Sequence, residues 1–110
     1  MGGNSSLECI RDSIKENESL CELNMDKINI NNDNYKIIFE GIENNKNISK
    51  YSLSENNINI KIVIDFFMRQ LHVKNLKFIK DDKNIKLTLD EKKIIDKCKK
   101  ERPDLNIVIN

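Results

Sequence analysis

The chain reads as an α/β protein in which about four helix–strand units line up along a short parallel sheet. Three observations predict this. The sequence repeats: Ile14, Asn17, Leu20, Leu23, Met25 and Ile30 recur as Ile42, Asn45, Ile48, Tyr51, Leu53 and Ile58, a step of about 28 residues. Each period holds one stretch with helical spacing and one with strand alternation. A helix lies between successive strands, and a crossover of that kind joins parallel strands in the right-handed sense.

The first helix is expected from Ser5 or Ser6, either of which can cap it, to about Asn17. Leu7, Ile10 and Ile14 share one face, and Glu8, Arg11, Asp12 and Lys15 point elsewhere. The stretch Leu20 to Met25 follows as a strand with Leu23 and Met25 inward. Asn29 to Asn34 is a loop, and a second helix covers Asp33 to Asn44. Its stripe is Ile37, Ile38 and Ile42, with Tyr35 and Phe39 at the flanks. The second strand is Ser49 to Leu53, with Tyr51 and Leu53 inward. A third helix, Ile60 to Leu71, leads to a strand carrying Val73, Leu76 and Phe78, with Gln70 standing where Asn17 and Asn45 stood. This step is about three residues shorter. After a charged loop, Lys80 to Lys86, a fourth helix runs from Asp90 to Glu101, capped by Thr88 or Asp90. It turns Ile94, Ile95 and Cys98 inward. Pro103 ends it, and Leu105, Ile107 and Ile109 alternate as a last strand.

At 110 residues and 38% hydrophobic content the chain fits one domain, residues 7–110, after a flexible lead at 1–6. Net charge is +1, which gives no global pull towards nucleic acid or an anionic membrane. Cys9, Cys21 and Cys98 form no CxxC pair and there is one histidine, so a zinc site lacks its ligands. The odd cysteine count suggests reduced thiols and a cytoplasmic setting. No apolar run approaches the roughly 20 residues of a membrane helix. Gly2 and Ser6 fit the loose myristoylation pattern, and a membrane partner is expected only if Gly2 is lipidated.

The frame L-x-x-L-x-L-x-x-N-x-I resembles the leucine-rich repeat. Its matches are Leu20, Leu23, Met25 and Ile30; Ile48, Tyr51, Leu53, Asn56 and Ile58; Val73, Leu76 and Phe78; and Leu105 and Ile107. The long step, the full helix in each unit and the preceding L-x-x-N-x-x-L look like the ribonuclease-inhibitor subtype. The C-terminal domain of tropomodulin and the Ran GTPase-activating proteins share that subtype. The end, Cys98 to Ile107, resembles the terminal half-repeat of such proteins. The resemblance implies a solenoid that binds other proteins without a cofactor. It departs from the pattern where the turn asparagine appears only as Asn56. Ile28 and Asp81 hold that place in the first and third units, so irregular loops and no asparagine ladder are expected.

Little chemistry is visible. His72 reads as a solvated turn residue. The pairs Asp81–Asp82 and Asp90–Glu91 read as a solvated loop and a helix start. No phosphate-cradling glycine loop exists, and Gly41 reads as a close-packing position. Asn17 and Asn45 read as helix-closing residues. The surface remains. Outward strand residues should form the inner wall of the array, and the expected protein-binding set is Glu22, Asn24, Asp26, Lys50, Ser52, Ser54, Lys74, Lys77 and Ile79. This wall should grade from acidic to basic, with Lys50, Lys74 and Lys77 side by side.

The expected function is therefore non-enzymatic protein–protein interaction through that face. One alternative is a tropomodulin-like capping or GTPase-regulatory protein. A second is a nucleic-acid binder using Lys74, Lys77, Lys80, Lys83 and Lys86, against which the balanced charge argues. The open edge of the last strand predicts either a longer array or self-association through an end.

Overall fold

A computed structural model describes residues 5–79 and 87–109. Four helices alternate with four strands. They are α1 (Ser5–Glu16), β1 (Glu22–Asn24), α2 (Tyr35–Asn44), β2 (Lys50–Ser52), α3 (Ile60–Met68), β3 (Asn75–Lys77), α4 (Leu89–Glu101) and β4 (Asn106–Val108). The strands form one parallel sheet in the order of the chain, β1-β2-β3-β4. Leu23, Tyr51, Leu76 and Ile107 stand opposite one another across it. The strand centres and the parallel pairing are those the repeat predicts, although each strand is only three residues long.

The core lies between sheet and helices. Tyr51, Phe67, Phe78, Ile38, Ile42, Ile48 and Leu53 are its largest fully buried members. Phe39, expected at the flank of its helix, is buried and stacks on Phe66 with ring centroids 4.1 Å apart. The stack joins α2 to α3. Gly41 sits where α2 crosses α1; a Cβ there would lie 2.9 Å from the Arg11 carbonyl oxygen. Leu20 departs from expectation. It is 43% exposed, whereas Ile48 at the same place one unit later is buried, because no unit among the described residues covers Leu20 from the first side.

Helix ends follow local chemistry. The Asn59 side chain accepts the Lys61 N–H at the start of α3. Thr88 and Glu91 form a reciprocal capping box at α4, so Thr88 and not Asp90 is the cap. The turns after β1 and β2 also match. Lys27 and Glu55 both adopt left-handed backbone, φ 56° and 59°, and pair at 3.2 Å. The expected loop with Asp81 and Asp82 lies outside the described residues.

Candidate functional site

Two sets of hydrogen bonds fix the units to one another, and both involve residues the repeat singles out. Asn45, just past α2, accepts the Asn47 and Ile48 N–H groups on its Oδ1. Its Nδ2 donates to the carbonyls of Ile14 and Asn17, at 2.6 and 2.8 Å. Arg102, just past α4, donates through Nη1 to the carbonyls of Phe67 and Gln70 and through Nη2 to that of Val73. Each residue therefore adds side-chain donors to carbonyls at the end of the preceding helix and in the turn that follows it, where Ile14, Phe67 and Gln70 each also accept a backbone N–H. Arg102 is buried and turned back into the third unit.

The second set lies past the strands. Asn56 accepts from Ile28 N–H and Ile30 N–H and donates to the carbonyls of Met25, Leu53 and Ser54. Asp26 accepts the Ser52 hydroxyl and the Ser54 N–H, both at 2.7 Å, and the Ser54 hydroxyl accepts Ile79 N–H. These bonds run from unit to unit without an asparagine ladder.

The open face of the sheet is a groove of about 360 Å³ to which all four strands contribute. Register sets its rows. Glu22, Lys50, Asn75 and Asn106 form one, and Asn24, Ser52, Lys77 and Val108 form the other. Five of the nine residues expected on this face line it: Glu22, Asn24, Lys50, Ser52 and Lys77. Asp26, Ser54 and Ile79 are drawn together at the strand ends by the bonds just described. Ser54 is buried there, so its outward orientation was misjudged: its hydroxyl faces the turn of the next unit. Lys74 lies outside the groove.

The expected row of lysines is also corrected. Lys50 stands opposite Asn75, and Lys77 opposite Ser52. Lys74 comes one residue before β3 and pairs with Asp104 at 2.8 Å. Lys50 lies 3.7 Å from Glu22. Charges thus pair across units and do not segregate along the sheet. Lys77 makes no ion pair among the described residues and stands between Ser52 and Val108 in its row. Asn75 and Asn106, outward by the alternation of their strands, line the groove beside the expected set.

Titration departs from ordinary values at a few groups near these junctions. Hydrogen bonds from Arg102 and then Lys74 hold the Asp104 carboxyl well below the usual range. Burial, then the charge of Lys46, lowers the imidazole of His72. His72 is half-buried, not solvated, and its Nε2 is enclosed without a hydrogen-bond partner among the described residues. Among the described residues no group of three His, Cys, Asp or Glu side chains is placed to hold a metal ion, and no helix is long and apolar enough to cross a membrane.

No protein-family model and no curated protein matches this sequence.

Proposed function

We propose that the chain is a short leucine-rich-repeat solenoid that acts without catalysis in the cytoplasm, binding a protein partner in the groove on the open face of its sheet. The observation that carries this is the groove's construction. Four in-register strands present two rows of side chains, polar except for Val108, whose backbones are held by inter-unit bonds. At roughly 4.8 Å between strands, each row spans about 14 Å, enough to meet three or four side chains of a partner. Asn24, Asn75 and Asn106 supply donors and acceptors, and Lys77 supplies an exposed cation. A rigid polar face with amides suits a polypeptide, which offers carbonyls, amides and an acidic side chain for Lys77.

Selection of peptides from a random display library against the whole chain tests the reading. Binders should lose at least tenfold in affinity for Ser52→Trp and for Lys77→Glu, and none for Glu43→Lys on α2. Binders indifferent to both groove variants, or a selection that yields none, would count against it.

A further inference from the structure

The two ends of the stack are complementary. At the first end, Ile10, Asn17, Leu20 and Leu23 border an apolar recess of about 350 Å³. Asn17 is already arranged as Asn45 is: its Oδ1 accepts the N–H groups of Ser19 and Leu20, at 3.0 and 2.7 Å. The Asn45 amide then reaches back to two carbonyls of the preceding unit. The Asn17 amide has no such partner among the described residues, and it lies beside the recess. At the other end, Ile95, Ile107 and Ile109 border a recess of about 200 Å³ between α4 and β4, flanked by Lys92 and Lys99.

The strand edges match as well. Cys21 and Met25 bond towards β2, so alternation leaves Glu22 and Asn24 with backbone groups directed away from the sheet. Asn106 and Val108 bond towards β3, which leaves those of Ile107 directed outward. Ile107 stands in the register of Leu23, the residue around which β2 pairs with β1. Charge favours the same union. Exposed Glu16 and Glu18 flank Asn17 at one end; at the other, Lys92 and Lys99 stand on either side of Asp96, which leaves a net positive rim.

We propose that the chain self-associates head to tail, with the α4–β4 end of one copy seated on the α1–β1 end of a second. Ile107 N–H donates to the Glu22 carbonyl of the second copy, and its carbonyl accepts the Asn24 N–H. The second copy's Asn17 amide donates to carbonyls at the end of α4, as Asn45 does to those ending α1. The contact joins unlike surfaces, so it propagates and does not close at a dimer.

Sedimentation velocity of the full chain across a concentration series tests this. Average mass should climb past the monomer and past the dimer. Asn17→Asp keeps the acceptor that closes its turn, removes the donor, and should weaken association at least tenfold with an unchanged circular dichroism spectrum. The double variant Lys92→Glu, Lys99→Glu blocks the other end and should likewise weaken association at least tenfold. Mixed, the two blocked variants should form a 1:1 dimer that grows no further, because each retains one competent end. A monomeric wild-type chain at every concentration would overturn the proposal. So would self-association of the Lys92→Glu, Lys99→Glu chain at wild-type strength, since two first ends would then be meeting each other.

Discussion

The side-chain amide of Asn45 donates to the carbonyl oxygen of Asn17, the residue in the same place one unit earlier, at 2.8 Å. The bond joins the ends of two helices, and Asn45 is buried. Loss of the side chain leaves the carbonyl of Ile14 with fewer donors and strips the Asn47 and Ile48 N–H groups of their acceptor. Leaving buried polar groups unsatisfied costs about 1–3 kcal/mol each, partly relieved where water enters. Asn45→Ala should therefore destabilise by about 2–4 kcal/mol in urea melts. Asn17→Ala, at the solvated end, should cost about 1 kcal/mol. Equal losses at the two positions would mean that the inter-unit bonds contribute nothing.

Arg102→Lys should fail to restore what Arg102→Ala removes. The guanidinium reaches three backbone carbonyls and Asp104 from a single planar fork, and an ammonium cannot span them. Both variants should lose about 3 kcal/mol or more. The partner gives a pH test. Arg102 and Lys74 depress the Asp104 carboxyl in the folded chain. Its unfolded value is about 3.9. A depressed carboxylate stabilises the fold above that value and ceases to do so as pH falls below it. Asp104→Asn should thus be less stable than wild type at pH 6, and the gap should narrow as pH falls below about 4. A constant gap down to pH 2 would show that charge is not the cause.

Element order and strand centres were legible because burial repeats with the chain: Leu23, Tyr51 and Leu76 must all face the same helices. Directions set by reach or by a one-residue offset were not. Lys74 and Lys50 look alike in sequence, yet Val73 is inward and places Lys74 just before the strand. Ser54 looks outward by alternation, but the left-handed turn at Glu55 ends the strand and folds the hydroxyl under Ile79. The sequence marks Asn45 as a helix-closing residue and Asn56 as a turn asparagine, but only coordinates show them holding one unit to the next. The sheet groove was half legible. Its rows require the pairing register, which periodicity alone does not supply.

Gly41→Ala offers a test in which local and tertiary effects have opposite signs. Alanine gains about 1 kcal/mol of helix propensity over glycine. The new methyl would meet the Arg11 carbonyl oxygen at 2.9 Å and the Arg11 Cα at 3.2 Å, both backbone atoms. Helix α2 must then retreat from α1, which costs about 1–3 kcal/mol. A net loss of about 1 kcal/mol in urea melts is expected, with the helical signal retained. A net gain would mean that the two helices slide apart without penalty.

Tyr51 carries the last prediction. It occupies the centre of β2, fully buried, with its ring 5.8 Å from that of Phe67. Its hydroxyl is enclosed and has no hydrogen-bond partner among the described residues. A buried hydroxyl without a partner forfeits its hydration for nothing, so removing it should help. Tyr51→Phe keeps the ring contacts and should raise stability by up to about 1–2 kcal/mol at neutral pH. Burial also pushes the phenol well above its ordinary value. An unfolded tyrosine ionises near pH 10, while the folded one resists, so the native chain loses stability as pH rises through and beyond that value. The variant lacks this group and should show a shallower decline above pH 10. If Tyr51→Phe instead lost more than about 1 kcal/mol, the hydroxyl would have to be bonded to an enclosed water, and the core beneath the sheet would be wetter than its aliphatic lining implies.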